Sequence, residues 1–413
     1  MHARGDAAPS QPEHVLVIGA GLGGLRTVEQ LRASGYQGRI SLVGEEPHPP
    51  YDRPPLSKQL LAGAWEPDRV VLCDPEKLDE LGVRYYLGVR AVALRPGEAE
   101  LSDGSTLHAD AVVIATGVVA RRLAGQPDHV HTLRTLDDAL ALRSALQQAG
   151  SLLVIGGGFV GAEVASTARD RGLEVTVLEA MPVPFSRALG AEVGAICGRL
   201  LTEAGVTLRT EARLTRFLEP ADGNGAVAVE LADGTRLGAD VAVVGVGGAP
   251  ELGWLADTGL DLRDGLVCDA SGRVRGLAGV WAVGDVAAWE SAEHGGPHRS
   301  EHWTNASDQA AVVAASIVGA DAPPPAVPYF WSDQFGLKIQ LIGRPELADA
   351  TFPLHGEGLA GGAVQGTVVG YLAGERLVSV VGFGAARLVA RYRGLLSRGA
   401  DRAAAQEFAR SLG

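Results

Sequence analysis

The feature that most restricts the fold is a unit that occurs twice. His14-Val-Leu-Val-Ile-Gly19 is a short apolar run ending in glycine; a helical pattern follows from Leu22 to Ala33, and a second apolar run, Arg39-Ile-Ser-Leu-Val43, completes it. The same order returns at Ser151-Leu-Leu-Val-Ile155, a helix from Phe159 to Arg171, and Glu174-Val-Thr-Val-Leu178. Both read as βαβ units, and their spacing points to two related domains rather than a solenoid. Between strand and helix stand Gly19-Ala-Gly21-Leu-Gly23-Gly24 and Gly156-Gly-Gly158-Phe159-Val160-Gly161. Glycines at this junction permit a tight turn and let a pyrophosphate approach the helix N-terminus. An acid at the end of each second strand, Glu45 or Glu179, is placed to accept ribose hydroxyls. One such glycine string is a weak signal; two, each with strand, helix and terminal acid, predict two dinucleotide sites.

Glu179 also bears on cofactor choice, since a carboxylate accepts a free 2′-hydroxyl and repels a 2′-phosphate. NADH is favoured over NADPH. The competing readings are that Glu179 is a solvated strand end, or that Arg187 nearby takes a phosphate.

At 413 residues the chain exceeds what one core holds, about 250–300 residues, so two or three domains are expected. The strands Ala111-Val-Val-Ile-Ala115 and Val241-Ala-Val-Val-Gly245 each follow an Asp-Gly turn, at Asp103-Gly104 and Asp233-Gly234, which reads as a hairpin feeding the last strand of each unit. A further strand, Gly279-Val-Trp-Ala-Val283, precedes Gly284-Asp285. The expected division is a leader over 1–13, a discontinuous first domain over 14–120 and 248–326, a second over 121–247, and a smaller third over 327–413 after the Pro-rich linker 323–328. The leader reads as disordered, without the basic start and apolar middle of a signal peptide.

Hydrophobic residues at 46% and charged residues at 21%, with no apolar run near the roughly 20 residues of a membrane span, describe a soluble cytoplasmic protein. A net charge of -13 disfavours nucleic acid. Cys73, Cys197 and Cys268 are far apart, so neither a redox pair nor a metal site is expected. Arginine is abundant, while lysine occurs only at 58, 77 and 338. Lys58 ends Tyr51-Asp-Arg-Pro-Pro-Leu-Ser-Lys58, where prolines fix the loop and pin a point charge, unless the string is only a surface turn.

That string is followed in order by Ala115-Thr116-Gly117, Leu133-Arg-Thr-Leu-Asp-Asp138, Gly156-Gly-Gly-Phe-Val-Gly-Ala-Glu163, Val283-Gly-Asp285, Glu301-His-Trp-Thr-Asn-Ala306 and Phe330-Trp-Ser-Asp-Gln334. From His14 to about Ala385 the chain closely resembles the FAD-dependent ferredoxin reductases of bacterial oxygenase systems, the family of putidaredoxin reductase and the reductase components of dioxygenases. The resemblance implies an α/β fold with two Rossmann-like dinucleotide-binding domains, as in glutathione reductase, and a small α+β C-terminal domain.

The resemblance further implies that FAD sits at the first glycine turn and NADH at the second. Gly23 and Glu45 would hold the FAD pyrophosphate and ribose. Arg53 and Lys58 would lie against pyrophosphate and flavin, Ala91 beside the adenine, and Ala115, Thr116 and Gly117 at the turn. Arg134 would reach FAD from the crossover, and Gly284 and Asp285 would bind the ribityl chain or pyrophosphate. Glu301, His302 and Trp303 would run beside the flavin ring. Gly156, Gly158, Phe159, Val160, Gly161, Glu179, Arg187 and Gly247 would line the NADH site, Glu163 would pair with Lys58, and Trp331 would cover the nicotinamide. Trp303 and Trp331 also read as core side chains.

The implied activity passes hydride from NADH to FAD, then single electrons to a small iron–sulfur ferredoxin that serves a cytochrome P450 or a Rieske oxygenase. A monomer or weak dimer is expected. Departures fall outside the glycine turns: Ala120 stands where the family usually has proline, the third domain's last strand lacks an asparagine, and the tail from Ala385 is unlike the usual ending. That tail carries arginines 387, 391, 393, 398, 402 and 410 against Asp401 and Glu407, either a steering surface for an acidic ferredoxin or a solvated helix. The alternatives are an NADH oxidase with a single reactive cysteine and an NADH-sensing flavoprotein like apoptosis-inducing factor. A disulfide reductase would need a close cysteine pair, which the chain lacks.

Overall fold

The computed structural model describes residues 11–219 and 227–412, which form two units. One takes residues up to 52 with 71–119 and 249–326; the other takes 53–70, 120–248 and everything from 327. Of the expected leader, residues 1–10 lie outside the described residues. Gln11 to Glu13 are tied down: Gln11 Nε2 donates to Val318 O, Pro12 O accepts from Tyr36 Oη, and Glu13 N–H donates to Asp110.

The first unit is built on a parallel sheet in the order Val280–Ala282, Ala111–Ile114, His14–Ile18, Arg39–Gly44, Val83–Leu87. Strand alternation explains why a run as apolar as His14–Ile18 is needed, since both faces of the sheet are covered. Val15 and Val17 pack with Leu25, Val28 and Leu31 of the helix Leu22–Ala33, and with Val313 and Ile317 of the helix Trp303–Val318. Leu16 and Ile18 face the other way, onto the antiparallel sheet of Ala91–Arg95, Glu98–Leu101 and Thr106–His108. Gly104, at φ 84°, makes the Asp-Gly turn of that sheet's second hairpin.

The second unit repeats the plan with a parallel sheet ordered Thr207–Arg209, Glu174–Leu178, Ser151–Ile155, Val241–Val244. The helices Phe159–Asp170 and Ser186–Glu203 cover one face, and the antiparallel sheet Leu214–Leu218, Val227–Leu231, Arg236–Ala239 covers the other. The correspondence extends to one carboxylate in each unit. Asp110 accepts from the Glu13 and His14 N–H groups, both at 2.9 Å, and Asp240 accepts from those of Gly150 and Ser151 at 2.8 and 2.9 Å. The strings Ala109-Asp110-Ala111 and Ala239-Asp240-Val241 carried this signal.

Two segments gather with the second unit through their contacts. Segment 53–70 leaves the first unit because its polar groups are satisfied in the second: Thr167 Oγ1 donates to Ser57 O at 2.9 Å, Arg171 Nη1 to Leu61 O at 3.2 Å, and Arg143 pairs with Glu66 at 2.9 Å. The C-terminal part is an antiparallel sheet ordered Tyr329–Gln334, Leu337–Gly343, Arg376–Phe383, Val368–Ala373, Ala350–His355. Its Ile339, Leu341, Val369 and Val381 share a core with the helix Phe159–Asp170, whereas Ile342, Val368 and Val380 face Val389, Leu395 and Ala405 of the closing helices. It therefore shares a core with the second unit. Among the described residues no helix is long and apolar enough to cross a membrane.

Candidate functional site

The two glycine turns have the same backbone. Gly19 sits at φ 115° and Gly156 at φ 116°, where L side chains are strained. A Cβ on either would lie 2.2 Å from a carbonyl oxygen, that of Ala115 or of Gly245. Gly24 and Gly161 lie against the turns, since an added Cβ would meet Gly19 O at 1.8 Å or Gly156 O at 2.2 Å. Gly21 and Gly158 are different. Each caps its helix in an extended conformation with no side-chain hydrogen bond, and a Cβ there would meet nothing within 4 Å.

The first-turn N–H groups of both helices are thus uncapped beside open space, which suits an anionic pyrophosphate and supports one dinucleotide at each turn. Gly23 also packs against its neighbours. A Cβ there would lie 3.3 Å from Val283 Cγ2 and 3.9 Å from the Ala306 side chain, so its bareness serves packing of the helix.

The terminal acids also diverge. Glu179 accepts from the Gly157 N–H at 2.9 Å and from the Met181 N–H at 2.7 Å, so its carboxylate is fixed at the mouth of its turn. Glu45 is exposed, with Arg90 Nη1 at 3.6 Å. Arg187 and Val160 are exposed, and Phe159 packs edge-on to Phe185 and against Phe330, with centroids at 5.1 and 4.4 Å. Gly247, at φ 97°, accepts from the Arg121 N–H at 3.0 Å.

In the first unit, the Ala115 N–H donates to Ile18 O at 2.7 Å, and Thr116 and Gly117 continue past the strand end, Gly117 at φ 68°. Gly284, at φ 75°, donates to the buried Gln309 Oε1 at 2.7 Å. Arg299 Nη1 donates to Asp285 O at 3.1 Å and also to the Glu301 carboxylate. His302 occupies the cap position of the helix that Trp303 begins; Trp303 Nε1 donates to Asp52 Oδ1 at 2.8 Å, and Arg26 lies 5.8 Å from its ring centroid. Ala91 is buried in its strand. Sequence reading missed Gln309 and Arg299, which stand in no glycine string.

The second unit brings Lys58 and Glu163 together. Lys58 Nζ lies 2.8 Å from Glu163 Oε2, with side chains only 12% and 7% exposed. Removing an ion pair from water is costly unless further hydrogen bonds complete it, and here they do. Ser57 Oγ donates to Glu163 Oε2 and Ser332 Oγ to Oε1, both at 2.5 Å. Arg53 Nη1 donates to Arg134 O at 2.6 Å, while the Arg134 N–H is held by Asp138 in the capping box of the next helix.

Trp331 is not on this face. The two-residue period of its strand puts it opposite Ser332, where it stacks on Tyr329 with centroids 5.8 Å apart. The three cysteines are free and buried. Burial raises the Cys73 thiol, pushes Cys268 up to about 12, and takes Cys197 higher still. None has the lowered pKa and access of a redox thiol.

Residues 13–310 match the family described as pyridine nucleotide-disulphide oxidoreductase, and residues 329–411 match the reductase C-terminal family. The chain is 41% identical over 341 residues, 81% of each chain, to the ferredoxin–NAD(+) reductase subunit of the benzene 1,2-dioxygenase system of Pseudomonas putida. It is 33% identical over 377 residues to putidaredoxin reductase from Pseudomonas putida, covering 89% of this chain and 88% of that relative. Among solved structures, the covalent putidaredoxin reductase–putidaredoxin complex aligns with a TM-score of 0.88 and 31% identity over 94% of both chains. The chain belongs to the pyridine nucleotide-disulphide oxidoreductase family, among its ferredoxin reductases.

Proposed function

We propose that this protein carries electrons from NADH, by way of FAD, to a small iron–sulfur ferredoxin that supplies a cytochrome P450 or a Rieske oxygenase in the cytoplasm. The observation that carries the reading is a pair of uncapped glycine-turn helices in a chain whose three thiols are all buried. Two dinucleotides fit, and no internal dithiol can take the electrons. An external acceptor is required.

The first turn, with Gly19, Gly21 and Gly24, holds FAD, aided by Asp285 and Trp303. The second, with Gly156, Gly158 and Gly161, holds NADH, and the fixed carboxylate of Glu179 discriminates against a 2′-phosphate. A bound flavin supplies the two-electron to one-electron conversion. What the chain itself contributes is placement and exclusion of water. Prolines 54 and 55 lead into Lys58, and Glu163 neutralises the lysine's charge while holding its ammonium in place. A ferredoxin as acceptor is supported by the named relatives, a ferredoxin–NAD(+) reductase subunit of a dioxygenase system and putidaredoxin reductase.

The test is reduction of cytochrome c by the purified protein with NADH or NADPH, with and without a small ferredoxin. The expected outcome is a flavin band near about 450 nm, a clear preference for NADH, and turnover that requires the ferredoxin. A colourless protein, or equal rates without ferredoxin, would overturn the proposal. Steady turnover also separates an electron carrier from an NADH sensor.

A further inference from the structure

Glu163 is held from two directions, and one of its partners has a role that no glycine motif supplies. Ser332 is wholly buried, on the strand Tyr329–Gln334. Gln334 Nε2 donates to Ser332 Oγ at 2.9 Å, so the single hydroxyl proton of Ser332 is committed to Glu163 Oε1 at 2.5 Å. Donors therefore run in one direction, from Gln334 through Ser332 to the carboxylate. On the other oxygen, Oε2, Ser57 and Lys58 converge at 2.5 and 2.8 Å.

A carboxylate turns easily about its last torsion, which has no deep staggered wells. Donors on both oxygens remove that freedom. Among the described residues Ser332 is the side chain that donates to Oε1; without it that oxygen is buried and unsatisfied, the costly condition for a charged acceptor. The carboxylate would then rotate, and Lys58 would follow it. The backbone strengthens the arrangement, since the Phe335 N–H donates to Ser166 Oγ at 2.7 Å on the same helix that carries Glu163.

We infer that Ser332 is a positioning residue: by clamping Oε1 of Glu163 it fixes the Lys58 ammonium, so that the strand Tyr329–Gln334 sets the charge presented to the redox centre. Only the last step rests on the proposed flavin reductase function.

Ser332→Ala and Ser332→Thr test it with two readouts. In the first, the protein as purified receives a short pulse of an amine-acylating reagent and its peptides are weighed. The chain has lysines only at 58, 77 and 338, and the last two, with side chains 57% and 46% exposed, serve as internal standards. Lys58 is expected to label roughly tenfold faster in Ser332→Ala, the effect of losing one hydrogen bond to a charged group, and at the parent rate in Ser332→Thr. Unchanged labelling in Ser332→Ala would overturn the inference.

In the second, NADH reduction of the bound flavin is followed in a stopped-flow instrument across pH. The maximal rate is expected to fall roughly tenfold and its pH profile to move, with NADH affinity unchanged and Ser332→Thr restoring both. A parent-like rate and profile beside altered labelling would overturn the link to the redox centre. Failure of the parent to be reduced by NADH would instead sink the proposed function and leave the labelling result standing. If Ser332→Ala does not accumulate as folded protein, Ser332→Cys keeps the volume with a weaker donor, and parent-like Lys58 labelling there would count against the idea.

Discussion

A single methyl group is enough to separate the two nucleotide sites. An alanine Cβ at position 24 would lie 1.8 Å from Gly19 O, and one at 161 would lie 2.2 Å from Gly156 O. Both distances are shorter than any real contact, and the obstruction is backbone, so each turn must open to admit the methyl. Gly24→Ala is expected to yield protein with little bound flavin. Gly161→Ala is expected to retain flavin while the KM for NADH rises at least about tenfold, a change of ~1.4 kcal/mol in binding. Flavin-to-protein ratios and steady-state kinetics check both. Loss of flavin from Gly161→Ala alone would reverse the assignment of the turns. Single residues also carry more than one constraint: Gly23 stands inside the first glycine string, and its missing side chain also lets the helix pack against Val283.

At the level of elements, the closing helices present a charge pattern opposite to that of the whole chain. Arg387, Arg391, Arg393, Arg398, Arg402 and Arg410 are all exposed, whereas Val389, Leu395, Ala405 and Ala409 are buried beneath the C-terminal sheet. The apolar stripe fixes the helices, which leaves the arginines available to steer an acidic partner. Arg393 also lies 5.9 Å from the Tyr329 ring centroid, beside the stacked Trp331. Substituting Arg391 and Arg393 with alanine is expected to raise the KM for an acidic ferredoxin several-fold at low salt and to leave ferricyanide reduction unchanged. The difference should shrink near physiological ionic strength, where screening acts within about 8 Å. Equal ferredoxin kinetics in parent and variant at low salt would remove the tail from the docking surface.

Over the whole molecule, three histidines tie stability to pH. Burial lowers the pKa of His14, in the first unit, and of His131 and His355, in the second, from 6.5. The unfolded chain therefore binds protons that the folded chain refuses, and stability falls as pH drops through 6.5 toward the lowered values. The melting temperature is expected to decline from about pH 7.5 to about pH 5.5, and the decline should lessen when His14 is replaced by glutamine; a flat profile would contradict this. The parallel sheets, the helix Leu22–Ala33, the Asp-Gly hairpins and the doubled glycine turns were legible in the sequence. Each is written in local periodicity and in glycines that backbone geometry demands. Lys58 and Glu163 could be paired in advance only by resemblance. Sequence alone determined that two dinucleotide folds exist. Only the tertiary structure decided that segment 53–70 and the C-terminal sheet join the second unit, that Trp331 turns away from Ser332, and that Glu163 is clamped from both sides. The reason is physical: a buried charge takes its partners from whichever segments packing brings within hydrogen-bond reach, and no local pattern along the chain records that choice.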